Sequence, residues 1–414
     1  MRDGGRLAAA IAILEDMDAR HQPVRLALKS WGVGARYAGA KDRAFVSGLV
    51  LDCLRRRRSL AWRMGDQAWR AIVLAAVGFS WGWPLERIAA AAADPFGPGA
   101  LSEVETERLA APLSILEAPP GVKGDFPDWT EAMFTRAFGE SAVEEGAALA
   151  ERAPVDIRVN TLKTDPERAL KALRPLGAQR LEASATALRI EPAASTERSP
   201  AVEALPEFAK GWFEIQDLGS QIAAKTVRDI GHRQVLDFCA GGGGKTLALA
   251  ALMANTGQLF AYDSDGRRLA QTQERARRAG VRNLQVRTPL RPDPLRGLEG
   301  RMDLVFVDAP CTGSGVWRRH PDAKWRLTED QLRRRMVEQD EVLAAASAFV
   351  KPGGRMAYVT CSMFCEENED RVDAFLAAAL DFHLAERYRR LTPRVNGADG
   401  FFIADLERRP ATVT

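Results

Sequence analysis

The chain has 414 residues, 46% hydrophobic and 27% charged, and its 58 basic and 55 acidic side chains leave a formal net charge of +3. The length is too great for one hydrophobic core and calls for two or three domains. The charge balance excludes a strong overall field, so a nucleic-acid partner would have to be held by local clusters.

The first stretch, MRDGGRLAAAIAILEDMDAR, has Glu15 and Asp16 inside its apolar run and no small-residue cleavage site. It reads as an amphipathic helix and not as a secretory signal. No apolar run is long enough to span a bilayer, so the expected setting is the cytoplasm, without membrane contact. The five cysteines (Cys53, Cys239, Cys311, Cys361, Cys365) are odd in number, scattered and without paired metal spacing, which argues against both a disulfide scaffold and a metal centre.

From about residue 5 to 115 the alanine-, leucine- and arginine-rich runs have helical periodicity and no strand-like alternation. Within them Arg55-Arg56-Arg57-Arg58 precedes Trp62, Arg63, Trp69 and Arg70, a pattern that suits either a nucleic-acid face or a solvated basic helix beside core tryptophans. The stretch LEAPPGVKGDFPDW (116–129) is dense in proline and glycine and reads as a linker. A helix over about 129–152 then leads to the strand signal VDIRVNTLK (155–163), a helix at 166–173, and short strands at LRIEP (188–192) and GWFEIQD (211–217), together a small α+β unit.

Beyond about residue 216 apolar runs alternate with helices. VLDF (235–238) precedes a glycine cluster and a helix over 246–253, and LFAYD (259–263) precedes a helix over 267–279. LQVR, LVFVDAP, a long helix over about 329–349 and MAYVTC (356–361) follow. Such alternation predicts a mostly parallel, doubly wound sheet covered on both faces, whose ligands bind at the carboxyl ends of the strands. Asp237, the glycines, Asp263, Asp308, Cys311 and Cys361 all fall at those ends.

Two constellations carry chemistry. In LDFCAGGGGKT, the loop Cys239, Ala240, Gly241, Gly242, Gly243, Gly244 and Lys245 lets backbone pass close beneath a ligand, and the helix that follows offers free N–H groups to a negative group. A triphosphate loop would need glycine at Cys239, which disfavours nucleotide hydrolysis. Asp263, roughly twenty residues on, suits the hydroxyls of a ribose, so the pair reads as an adenosine-type cofactor site. In the second constellation Cys311 and Cys361 end adjacent predicted strands, where either thiolate is a candidate nucleophile. The cluster RRHPDAKWR (318–326) follows directly and is expected to grip phosphates and stack on a base, or else to pair with Asp322, Glu329 and Asp330.

DAPCTGSGVWRRHPDAKWR, TCSMFCEENED (360–370), the glycine loop before Lys245-Thr246, RVNTLK and DGFF (399–402) resemble the motifs of the RsmB/Nop/Sun family of RNA cytosine-5 methyltransferases, over about residues 126–414. The helical N-terminal part is similar to the NusB-like RNA-binding domain of one branch. The resemblance implies a class I, Rossmann-like methyltransferase domain (221–414) that uses S-adenosylmethionine. Before it would stand a helical RNA-binding domain (1–125) and a small α+β RNA-recognition subdomain (126–220). It implies Cys361 as the nucleophile that attacks C6 of cytosine and Cys311 as the thiol that assists release. Asp308 would hold the base and lie close to the cofactor, and Lys245 would add positive potential to the thiolate pocket. Ribosomal RNA is the favoured partner, with transfer RNA as the alternative and a monomer as the expected state. A further alternative is an RNA-binding assembly factor that has lost turnover. Two departures bear on the cofactor: Gly241-Gly242 stand where the family has Ala-Pro, and Pro289 stands near the position of an acidic adenine contact, for which Asp293 would substitute only if its loop bends back.

Overall fold

The computed structural model describes residues 1–197, 200–227 and 229–411, which divide into two compact units.

The first unit comprises Met1–Arg152, Pro192–Pro200 and Trp317–Leu327. Its N-terminal part is helical, as the periodicity predicts, with helices Asp3–Ala19, Val24–Gly34, Ala40–Arg55, Arg57–Met64 and Trp69–Ala75. They pack through Leu7, Leu14, Val46, Leu49, Leu54 and Ile72, none of which is exposed. The proline- and glycine-rich stretch expected to be a linker docks instead. Val122 and Phe126 are buried, and the Asp125 carboxylate accepts from the backbone N–H groups of Arg58 and Ser59 at 3.0 Å and from Ser59 Oγ at 2.6 Å. Its prolines and glycines break the helix without freeing the chain, so the compact unit continues to Arg152. The expected helix over 129–152 is two, Glu131–Phe138 and Ala142–Leu149, parted where Gly139 takes φ +57°.

The arginine run is used in packing. Arg55 pairs with Asp52 Oδ1 at 2.7 Å and donates to the Arg318 carbonyl, Arg57 lies 4.5 Å over the Trp69 ring, and Arg58 donates to the Phe126 carbonyl at 2.8 Å. The RRHPDAKWR cluster needs the same correction. It forms the helix Pro321–Arg326 inside this unit, where Lys324 is 1% exposed and donates to the Arg55 carbonyl at 2.9 Å. Trp325 Nε1 donates to the Leu54 carbonyl, and Arg326 pairs with Asp322 at 3.0 Å. The buried Trp317 and the partner-seeking polar groups around it commit this segment to the helices, so it does not supply the open set of phosphate-binding cations expected of it.

The second unit comprises Ala153–Glu191, Ala201–Val316 and Thr328–Thr414 and holds two sheets. The smaller is antiparallel, from β1 (Val155–Val159), β2 (Gln179–Arg180), β3 (Ala187–Ile190) and β4 (Phe213–Ile215), in the order β2-β3-β1-β4. The RVNTLK signal explains its attachment. Asn160 Nδ2 donates to the carbonyls of Gly211 and Ala279 at 2.8 Å, and Arg158 Nε donates to Gln216 Oε1 at 2.6 Å.

The larger sheet is built from β5 (Gln234–Asp237), β6 (Gln258–Tyr262), β7 (Leu284–Arg287), β8 (Met302–Asp308), β9 (Val350–Thr360), β10 (Phe382–Leu384), β11 (Arg389–Leu391) and β12 (Phe401–Arg408). Its order is β10-β12-β9-β8-β5-β6-β7, with β11 beside β12. The strands β9-β8-β5-β6-β7 are mutually parallel, and Val235, Leu236, Val305, Phe306, Val307, Tyr358 and Val359 are fully buried along them. That is the signature of a sheet covered on both faces. The chain order reverses between β5 and β8, so their carboxyl ends form the switch-point crevice. The antiparallel β10–β12 edge has no counterpart in the expected elements; DGFF is the start of its longest strand.

Candidate active site

Four strand ends contribute to the crevice. β5 runs into the glycine loop, in which Gly241 and Gly243 have φ +54° and +84°. A side chain at either would be strained, and a Cβ on Gly243 would meet Thr272 at 2.8 Å. The helix Gly244–Leu252 starts directly after, its first-turn N–H groups without partners inside the helix. Gly241-Gly242, which lack the proline of the family's loop, are held from the helix Gly266–Ala279. Thr272 Oγ1 donates to the Gly241 carbonyl at 3.0 Å, and Arg275 donates to the Gly242 carbonyl while pairing with Glu214 at 2.8 Å. Asp263 is buried at the end of β6; its carboxylate accepts from the N–H groups of Gly241 and Asp265, both at 2.8 Å. Each oxygen retains a lone pair, so the residue still suits a ribose hydroxyl. Pro289 packs near Gly266, a Cβ on which would lie 3.4 Å from its ring.

Asp237, which sequence reasoning placed at a strand end without a role, is fully buried. Its Oδ2 accepts from Thr246 Oγ1 at 2.6 Å, and its Oδ1 has no protein partner. Burial first, then the negative charges of Asp308 and Asp263, push its carboxyl up to about 7 against the opposing pull of Thr246 and Lys245. An unpartnered buried carboxylate oxygen beside an open glycine loop fits a cationic group of a ligand. A Cβ on Gly244 would meet nothing nearer than Gln216 Nε2 at 3.9 Å. The free acceptor, the open loop and Asp263 together fit S-adenosylmethionine, which carries an ammonium, a sulfonium and a ribose.

At the end of β8, Asp308 accepts from Lys245 Nζ at 2.7 Å. Burial alone would lower the Lys245 ammonium, but the charge and hydrogen bond of Asp308, with Cys361 and Asp237 adding to them, hold it above its ordinary value. Lys245 also lies 5.2 Å over the Phe401 ring. The adjacent ends of β8 and β9 bring Cys311 and Cys361 together with their sulfurs 3.4 Å apart. The Cys311 thiol is held well above the ordinary cysteine range, first by its hydrogen bond with Cys361, then by desolvation and by the negative charge of Glu367. Behind the cysteines, Gly315 donates to the Cys361 carbonyl at 2.9 Å and Gly400 to the Gly315 carbonyl at 2.8 Å, so DAPCTGSG, TCS and DGFF interlock. Every residue expected at the site lies in this crevice region, on the loops that end β5, β6, β8 and β9. Sequence reading did not find Thr272, Arg275 or Glu367; the last sits in the acidic run CEENED, where composition suggests surface.

The parallel sheet, the glycine loop at its switch point and the acidic strand ends define a class I methyltransferase fold. The family model of the 16S rRNA methyltransferases RsmB/F matches residues 226–407, and that of the RsmF/B-like ferredoxin-like domain matches residues 126–197. The chain belongs to this family, and its cofactor is S-adenosylmethionine. The ribosomal RNA small subunit methyltransferase B of Photorhabdus laumondii is 32% identical over 293 residues, covering 68% of this chain and 66% of that protein. A probable ribosomal RNA small subunit methyltransferase B of Synechocystis is 29% identical over 307 residues, 70% of this chain and 68% of that one. This chain thus spans about two thirds of the length of these curated relatives. Among solved structures, that of PH0851 covers 99% of each chain at TM-score 0.73 and 25% identity. A methyltransferase homolog protein from Pyrococcus horikoshii covers 72% of this chain and all of its own at TM-score 0.60 and 27% identity. No helix among the described residues is long and apolar enough to cross a membrane.

Proposed function

We propose that the protein methylates C5 of a cytosine in small-subunit ribosomal RNA through a covalent cysteine adduct. The observation that carries this reading is the pair of thiols 3.4 Å apart at neighbouring strand ends, beside an Asp308–Lys245 ion pair. The relatives named above and the family description supply the class of RNA.

The cofactor, when bound, supplies a methyl group made electrophilic by a positively charged sulfur. The loop from Cys239 to Gly244 would hold it with backbone groups, Asp263 its ribose, and Asp237 Oδ1 a cationic group. Cytosine C5 is a weak nucleophile until a thiolate adds to C6. Cys361 performs that addition, and Lys245 adds positive potential to the pocket. Asp308, held in place by Lys245, accepts from the polar edge of the base and counters the charge that develops there. Once C5 carries the methyl group, its proton leaves and the Cys361–C6 bond breaks, with Cys311 assisting departure. The helical unit serves to bind RNA, the small antiparallel sheet to recognise it and the larger sheet to catalyse.

The test is a pair of substitutions read on a denaturing gel with RNA and cofactor. Cys361→Ala should abolish methylation and leave no adduct, whereas Cys311→Ala should accumulate a slow-migrating protein–RNA band. Interchanged phenotypes would exchange the two roles, and the absence of an adduct in both would remove the covalent route.

A further inference from the structure

The two cysteine loops share one buried anchor. Glu367, in the turn Cys365–Glu367, has no exposed surface. Its Oε1 accepts from the backbone N–H of Thr312 at 2.8 Å and from Gln339 Nε2 at 3.0 Å, and its Oε2 accepts from the hydroxyls of Thr312 and Ser362. Thr312 follows Cys311 and Ser362 follows Cys361, so a single carboxylate is bonded to the residue after each thiol. Gln339 ties the same anchor to the Pro310 carbonyl at 2.8 Å, and Tyr358 OH donates to the Glu367 carbonyl at 2.7 Å. All of these partners are neutral, although burying a carboxylate without a countercharge is costly. Burial raises the Glu367 carboxyl above its ordinary value, while the hydrogen bonds from Ser362, Thr312 and Gln339 favour its charged form.

The charges around the thiols are unequal. Glu367 presents its negative charge on the Cys311 side, whereas Lys245 acts on Cys361. Two sulfurs at 3.4 Å share one proton in the state that attacks, and neighbouring charge decides which of them holds it.

We propose that Glu367 is a positioning residue that clamps the Cys311 and Cys361 loops together and, by its charge, keeps the shared proton on Cys311. Cys311 then keeps its proton and donates a hydrogen bond from its S–H to the Cys361 sulfur, before attack and again as the C6–S bond breaks. In that last step the C5–H electron pair becomes the C5–C6 double bond, the C5 proton passes to solvent, and the C6–S pair returns to Cys361. This assignment rests on the covalent reading above and makes Cys311 the hydrogen-bond donor to the departing sulfur.

The experiment measures peptide-resolved alkylation of Cys311 by iodoacetamide against pH, in the full chain without RNA, for wild type and Glu367→Gln. The amide keeps the shape of the carboxylate and can still bond both loops, but it lacks the charge. Wild-type Cys311 should be alkylated with a midpoint above the ordinary value of about 8.5, and Glu367→Gln should lower that midpoint by about one pH unit or more. An unchanged midpoint in a variant with wild-type circular dichroism would overturn the proposal. If the variant does not fold, the wild-type curve still decides, since a Cys311 midpoint at or below the ordinary value is incompatible with it. Because no RNA is present, failure here is separable from failure of the covalent reading, which the adduct gel tests.

Discussion

Asp237 places a titration within reach of ordinary buffers. Its folded-state value of about 7 lies above that of an exposed aspartate, so the protein binds this proton more tightly than the unfolded chain does. The stabilisation is fully present below about pH 4, the ordinary aspartate range, and is lost as pH rises through 7. Asp237→Asn keeps an acceptor for Thr246 without a group that must ionise. The cofactor-free variant should therefore gain stability relative to wild type between pH 5 and pH 8, on the order of 1 kcal/mol or more, as read by thermal unfolding at both values. Parallel behaviour at the two pH values would mean that Asp237 is not held protonated. The same substitution should weaken S-adenosylmethionine binding, because the charge offered to the ligand's cationic group is gone. Stability and cofactor affinity would then move in opposite directions at this one residue.

At the scale of elements, the helix Gly266–Ala279 does for the glycine loop what a proline would do by its fixed φ. Arg268, Thr272 and Arg275 are spaced four and three residues apart and share one face. Thr272 and Arg275 bond the carbonyls of Gly241 and Gly242, and Arg268 lies 3.6 Å from Asp263. Thr272→Val removes one such hydrogen bond without changing shape. It should raise the dissociation constant for S-adenosylmethionine by roughly three- to tenfold, the equivalent of about 1 kcal/mol, with little effect on turnover at saturating cofactor; isothermal titration calorimetry checks the first and methyl incorporation the second. The parallel strands were legible in the sequence because burial on both faces demands continuous apolar runs, and they carry their loops to the right place. The Thr272 and Arg275 contacts were not, because a hydroxyl and a guanidinium on a polar helix face look the same whether they meet water or a carbonyl. For a similar reason Glu367 was lost in an acidic run that composition assigns to solvent. The β10–β12 edge was missed because antiparallel edge strands are short and FFIADLER lacks a clean alternation.

At the scale of the whole molecule, the cation-rich segments at 55–58 and 318–326 serve packing within the helical unit. Arg55 and Lys324 are buried among the helices and satisfied by carbonyls and a carboxylate, because tryptophans nearby bury the segments that carry them. The spacing of the cysteines was legible in a different way, since the two that end adjacent parallel strands are set side by side by the sheet itself. The proposed reaction makes a carbon–carbon bond on cytosine in ribosomal RNA. The most direct measurement incubates the full chain with methyl-labelled S-adenosylmethionine and either small-subunit ribosomal RNA or transfer RNA, followed by digestion to nucleosides and mass spectrometry. Label is expected in 5-methylcytidine from the ribosomal RNA and none there with Cys361→Ala; label in a different nucleoside, only in the transfer RNA, or in neither RNA despite cofactor binding would contradict the proposed reaction.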